Sequence, residues 1–273
     1  MLSEAEFVLT AREVKARTGA LLTREMAAAA ETRLAPLARR EGFSSVSEMI
    51  SAARTRPDGR TWAQIADALL QSETRFFRDR ALHQRFITDL LPQAIARRGH
   101  ERVRVWSAAC ASGQEPYSIA IALEDMRAEG KTPACEIIAT DISERLLEKA
   151  RAGLYTQFEV QRGLPIRKLI AYFEKAGDLW RISDRIRASV KFDSHNLMKH
   201  PGALGQFDFI FLCHTLPGFD VDARLAVFNR ALDALSPEGV LLLGEGETLP
   251  DGAEGVTLEH GVVRRAKAAR AAA

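Results

Sequence analysis

The sequence predicts a small all-helical N-terminal domain followed by an α/β domain built on a parallel sheet. Three observations carry this reading. Residues 1 to about 70 place apolar side chains at helical spacing with no strand-like run. From about residue 101, short apolar runs alternate with helical patterns, the mark of βαβ units. Between Tyr155 and Phe192 the alternation breaks, which reads as a small insertion with its own hairpin. The expected organisation is therefore 1–72 helical, 73–84 connector and 85–273 α/β, with 155–192 inserted.

Each element has a local reason. Ser3 caps a helix running to Thr18, with Glu6 three residues on and Phe7, Val8 and Val14 on its apolar side. A second helix starts at Thr23, passes Met26, Leu34 and Leu37, bends at Pro36 and stops at Gly42. Two more fit Ser47–Arg54 and Thr61–Leu70 around the turn Pro57-Asp58-Gly59. The connector Gln71–Leu82 carries Phe76-Phe77, expected as an apolar seam between the two domains. Strands are expected at Val103–Ala109, Glu136–Thr140, Phe207–Leu212 and Gly239–Leu243. Helices are expected at Gln114–Glu129, Ser143–Ala152 and Val221–Leu235. In the insertion, Gly163 to Pro165 breaks the chain, a helical piece runs through Tyr172-Phe173, and Trp180–Ser183 and Arg187–Phe192 alternate like strands. The basic end, with Arg264, Arg265, Lys267 and Arg270, reads as a solvated strand end and tail.

Composition narrows the function. The 273 residues hold 38 Lys+Arg against 36 Asp+Glu, a net charge of +2, with 47% hydrophobic and 27% charged residues. That is a folded chain without the basic excess of a dedicated nucleic-acid binder. Three cysteines, Cys110, Cys135 and Cys213, make no disulfide framework. There is no signal-peptide pattern and no apolar stretch long enough to span a membrane, so a cytoplasmic protein is expected.

The chemistry gathers in the segment Val105–Ser118, a strand, a small-residue turn and a helix start. Its single glycine, Gly113, is too few for the dinucleotide fingerprint, and no phosphate-cradling Gly-Lys-Ser/Thr follows. Glu115 in the first helical turn repels phosphate and suits a cationic ligand, or simply caps the helix. Asp141, at the end of the next strand, is placed to accept ribose hydroxyls, with Ser143 the better N-cap for the following helix. A nucleoside with a cationic group and no phosphates is S-adenosylmethionine (SAM). Arg78 in the connector offers a bidentate fork to a carboxylate, or an ion pair to Glu73 or Asp79. No compact metal-ligand spacing joins His195, His200 and His214, and no metal is expected. Cys213 and His214 do not read as a nucleophile pair, because neighbours on a strand point to opposite faces; His214 reads as pocket-lining or capping.

Five blocks in order resemble the CheR-type chemoreceptor glutamate methyltransferases: Thr74–Asp79, Ala111–Ser118, Ala139–Asp141, Arg162–Pro165 and Asn196-Leu197. The resemblance covers nearly the whole chain. It implies a class I Rossmann-like SAM methyltransferase domain with an inserted β-subdomain, and methyl transfer to receptor glutamates, leaving S-adenosylhomocysteine. It implies that Thr74, Arg78, Glu115 and Asp141 contact the cofactor, that Asn196 and Leu197 flank the adenine, that Cys213 and His214 border the same site, and that Arg78 also serves catalysis. It implies that Arg24, Arg33, Arg39 and Arg40, together with the β-subdomain, meet the receptor's acidic helices; locally, Glu25, Glu31 and Glu41 offset those arginines. The short loop Lys175-Ala176-Gly177-Asp178 resembles the form that does not depend on a receptor tether.

The chain departs from the family pattern at several points. Cys213 and His214 stand where Arg and Asn are usual, and Gly218 where Tyr is, with Pro217 beside it. Ser72, Gln114 and Glu245-Gly246 also differ. The alternative these departures imply is a SAM-binding regulator or scaffold with weak or altered catalysis.

Overall fold

The computed structural model describes residues 2–55, 59–70, 72–131 and 134–266. Pro57 and Asp58 of the expected turn, Gln71 of the connector, and Lys267 and Arg270 of the tail lie outside the described residues.

The chain divides into two units. The first is Met1–Ser72 with Pro217–Arg224. Its helices are α1 Glu4–Thr18, α2 Ala27–Arg40, α3 Val46–Thr55 and α4 Arg60–Leu69, with a 3-10 turn Arg24–Met26 ahead of α2. Ser3 and Glu6 close a reciprocal capping box on α1, and Gly19 ends it in the left-handed region. The helices bury one core that includes Phe7, Val14, Leu34, Met49, Ile50, Trp62 and Ile65. The segment 217–224 was expected in the α/β domain and instead packs here. The Leu21 N–H donates to the Gly218 carbonyl at 2.8 Å, Ala20 and Phe219 form an antiparallel bridge, and Lys15 pairs with Asp220.

The second unit is Glu73–Leu216 with Leu225–Ala273. It opens with α5 Arg80–Arg85, a π-helical turn Phe86–Leu90 and α6 Leu91–Arg98. Then follow β1 Val103–Ala108, α7 Gln114–Ala128, β2 Cys135–Asp141 and α8 Glu144–Ala152. Next come β3 Leu154–Thr156, α9 Gln157–Gln161, α10 Ile166–Tyr172, β4 Phe173–Ala176, β5 Leu179–Ile182 and α11 Asp184–Arg187. The chain closes with β6 Val190–Ser194, β7 Phe207–Phe211, α12 Val221–Asp233, β8 Leu235–Leu242, β9 Val256–Glu259 and β10 Val262–Arg265. The main sheet runs β6-β2-β1-β7-β8-β10-β9. The β6-β2-β1-β7-β8 pairs are parallel and β10 is antiparallel to both neighbours. The order reverses at β1, which opens a crevice at the carboxyl ends of β1 and β7. Strands β1 and β7 are buried almost throughout, as a sheet covered on both faces requires.

The insertion's hairpin is β4–β5, turning through Gly177 and Asp178 within the loop expected at Lys175–Asp178, with β3 as third strand. Two expectations about the insertion are corrected. The run Arg187–Phe192 is no part of it: Val190–Ser194 pairs with β2 as the edge of the main sheet. Phe173 starts β4 rather than continuing the helix. Arg265 is not simply solvated, since its guanidinium donates to the carbonyls of Ser236 at 3.0 Å and Leu232 at 2.7 Å. Among the described residues no helix is long and apolar enough to cross a membrane.

Candidate functional site

Five loops meet the carboxyl edge of the parallel sheet: 109–113 after β1, 142–143 after β2, 195–198 after β6, 212–216 after β7 and 243–247 after β8. The connector 73–79 joins them through Asp79, whose carboxylate meets His214. Of the six non-glycine residues with positive φ among the described residues, five are here: Phe77, Asp79, Ala109, Ala111 and His214. Left-handed backbone costs a side-chain-bearing residue about 1–3 kcal/mol, and such strain concentrates where the chain is held for a purpose.

Asp141 organises the first loop. Its Oδ2 accepts from the Ala111 N–H at 2.8 Å and its Oδ1 from the Ser143 N–H at 2.9 Å. Ser143 itself caps α8 through the Leu146 N–H. His195 donates its N–H to the Asp141 carbonyl at 3.0 Å, which places Asn196 and Leu197 directly after the Asp141 register. Asn196 Oδ1 accepts from the Met198 N–H at 2.9 Å, and Leu197 is half-buried. The His195 ring packs edge-on against Trp106, and its Nε2 is buried without a hydrogen-bond partner among the described residues.

Glu115, Cys213, His214 and Asp79 form a second cluster. Glu115 Oε1 accepts from Ser107 Oγ at 2.7 Å. Burial pushes the Glu115 carboxyl up to about 7, a rise that the Ser107 hydrogen bond opposes and the nearby Asp79 charge reinforces. Burial, then the Glu115 and Asp79 charges, push the adjoining Cys213 thiol well above its ordinary range. His214 Nε2 lies 2.6 Å from Asp79 Oδ2, and Glu245 N–H donates to the same oxygen at 3.2 Å. Burial alone would raise the Asp79 carboxyl, but the His214 contact and the Glu245 N–H hold it below its ordinary value. Glu247 Oε2 accepts from the N–H groups of His214 and Gly244, each at 2.6 Å. A Cβ at Gly244 would overlap the His214 ring, so glycine is required there.

Arg78 pairs with neither Glu73 nor Asp79 side chain. Its NH1 donates to the Glu73 carbonyl at 3.1 Å, and its Nε is buried without a partner among the described residues. Thr74 is half-exposed, and no hydrogen bond is found for its side chain among the described residues. The Phe76-Phe77 pair, expected as a seam between the domains, packs into the core of the second unit. Phe76 packs edge-on against Tyr155 and Phe173, inside the second unit. Phe77 donates its N–H to Ser118 Oγ at 2.9 Å. The Arg162–Pro165 block has a steric reason too: a Cβ at Gly163 would overlap the Phe76 carbonyl oxygen.

Asp79, Ser107 and Glu247 are functional neighbours that sequence reasoning did not place in the site. Among the described residues no group of three or more His, Cys, Asp or Glu is placed to hold a metal ion.

The residues present fit SAM. Acids at Glu115 and Asp141 suit its cationic end and its ribose, the unsatisfied Arg78 Nε suits its carboxylate, and the loop lacks the glycines of a pyrophosphate binder. The strand order and this acid-bearing loop define a Rossmann-like SAM-dependent methyltransferase. Residues 72–261 match the family described as CheR methyltransferase, SAM binding domain. The chain belongs to that family. It is 32% identical over 243 residues to chemotaxis protein methyltransferase Cher2 of Pseudomonas putida, covering 86% of this chain and 88% of the relative. It is 34% identical to chemotaxis protein methyltransferase 1 of Pseudomonas aeruginosa, with the same coverage. It is 32% identical to chemotaxis protein methyltransferase 1 of Vibrio cholerae over 97% of this chain and 98% of the relative.

Proposed function

We propose that this protein O-methylates glutamate side chains on the cytoplasmic helices of bacterial chemoreceptors. The observation that carries this reading is a carboxyl-edge site that holds the buried acids Glu115 and Asp141, with Asp79 beside it, and, next in the chain to Asp79, Arg78, whose Nε is buried without a partner among the described residues. Bound SAM supplies an electrophilic methyl group on a sulfonium. Asp141 receives the ribose hydroxyls, Asn196 and Leu197 flank the adenine, and Glu115 meets the cationic end beside Thr74. Arg78 holds a carboxylate in line with the methyl. Cys213 and His214 border the site, and His214 fixes Asp79, the residue after Arg78.

No general base is needed. A free glutamate has a pKa of roughly 4.3 and is already ionised at neutral pH. Sulfonium and carboxylate lose charge together, so exclusion of water and the line of attack set the rate. This supports transfer despite Cys213, His214 and Gly218 at positions where the family differs.

The receptor meets the basic face of the N-terminal helices. Arg39 is exposed and unpaired among the described residues, whereas Arg24 pairs with Glu4, Arg40 with Glu41, and Arg33 donates to the Leu69 carbonyl. The short β4–β5 turn supports action without a receptor tether. The test is incubation with methyl-labelled SAM and receptor signalling domains, with and without their C-terminal tails. Base-labile label on both forms is expected. Binding of SAM with no label on any receptor would replace this reading with that of a SAM-binding regulator.

A further inference from the structure

Within the second unit, the connector that carries Arg78 meets the insertion at two neighbouring points. At the first, the Arg162 guanidinium donates to the Glu73 carboxylate at 2.5 Å. At the second, Gly163 lies so close to the connector that a Cβ there would sit 2.0 Å from the Phe76 carbonyl oxygen. Phe76 and Leu164, the residue after Gly163, are both buried in the core of this unit.

Arg162 is itself held. Its N–H donates to the Phe158 carbonyl at 3.2 Å at the end of α9. Its guanidinium carbon lies 5.5 Å from the centre of the Phe158 ring, within cation–π range. Glu73 has less support. Its side chain is exposed, and Arg162 is the one ion-pair partner found for it among the described residues. The Arg162 hydrogen bond, then the Arg162 and Arg78 charges, hold the Glu73 carboxyl below its ordinary value, so it is ionised at neutral pH.

Glu73 in turn holds Arg78. Its main-chain carbonyl accepts from Arg78 NH1 at 3.1 Å, the one hydrogen bond found for that guanidinium among the described residues. Residue 73 lies between α4 and α5, in no helix or strand. Backbone outside regular structure opens readily unless other contacts tie it down.

We infer that Arg162 is a positioning residue for methyl transfer: by pinning the Glu73 side chain it fixes the carbonyl that orients the Arg78 guanidinium. The inference rests on the role given to Arg78 above. An exposed ion pair contributes little to stability. A displacement of about 1 Å at a reacting group, by contrast, costs up to about a hundredfold in rate. The two effects therefore separate.

The test uses Arg162→Gln, Glu73→Gln, the double variant and Arg162→Lys in the full chain, with methyl transfer to a receptor signalling domain. Each Gln variant should lower kcat by about fivefold or more, with KM for the receptor changed by less than about twofold. The double variant should be no worse than either single one, because both remove the same contact. Arg162→Lys should stay within about twofold of the parent, since it keeps the charge. Melting temperatures should be unchanged. A readout independent of turnover is the NMR resonance of the Arg78 Nε–H group, assigned by its loss in Arg78→Lys. It should shift in both Gln variants and return towards the parent position in Arg162→Lys. Full kcat in both Gln variants, losses that multiply in the double variant, or an unmoved Arg78 resonance would each overturn the inference. Transfer lost in Arg78→Ala and kept in Arg162→Gln would overturn it alone; full transfer in Arg78→Ala would overturn the role of Arg78 on which it rests.

Discussion

Glu115 shows how one residue carries both a legible and a hidden property. Its place in the first turn of a helix after a glycine-poor loop is readable from sequence. Its carboxyl, raised to about 7, is not, because the rise comes from burial and from Asp79 brought in by the fold. A folded pKa above the unfolded one means that this group stabilises the free protein at acid pH and loses that contribution as pH rises through 7. The α-ammonium group that S-adenosylhomocysteine shares with SAM prefers the ionised carboxylate. Affinity for S-adenosylhomocysteine should therefore strengthen by up to about tenfold per pH unit towards pH 7 and level off above it. Glu115→Gln should bind more weakly and lose this slope; a slope retained in the variant would show that another group is responsible. Asp141→Ala should weaken the same binding by about 1–3 kcal/mol and also lower the melting temperature, since two loop N–H groups lose their acceptor. An unchanged dissociation constant would refute the ribose assignment. The His214–Asp79 contact was beyond sequence reading because it joins residues far apart in the chain through a side-chain approach that no local pattern encodes.

Among the elements, the parallel strands were the most legible, since buried strands read as continuous apolar runs. The insertion was the least. Alternation in Arg187–Phe192 signals a strand but not its partner, and β6 pairs with β2 rather than with the hairpin. Strand β9 was not foreseen, and β10 only as a strand end at Arg264 and Arg265, because short antiparallel strands with two exposed residues each resemble loop sequence. The Arg162–Pro165 block was recognised as a motif while its reason was not: Gly163 lets the Phe76 backbone pass. Gly163→Ala adds a Cβ at a positive φ of 94° against that carbonyl. It should cost roughly 2 kcal/mol or more and should shift the connector that carries Arg78. Chemical denaturation and methyl-transfer assays check the two effects. By contrast, a Cβ at Gly218 meets nothing within 4 Å, so Gly218→Tyr should leave the unfolding midpoint unchanged within error. A large drop would show that its backbone requires glycine.

For the molecule as a whole, the net charge of +2 conceals separate jobs. Acids gather at one sheet edge, Arg78 in the connector has a guanidinium nitrogen without a partner among the described residues, and the N-terminal helices carry arginines of which most are already engaged. Pro217–Arg224 lies in sequence inside the α/β stretch and groups with the helical unit, which no local pattern in the sequence signals. The central claim is that this arrangement delivers a methyl group to a carboxylate. It is tested most directly by tandem mass spectrometry of a receptor signalling domain after incubation with SAM and the protein. The account predicts a single added methylene mass on glutamate, removed by mild base and absent with Arg78→Ala. Methylation that resists base, or S-adenosylhomocysteine binding with no modified glutamate on any receptor, would contradict it.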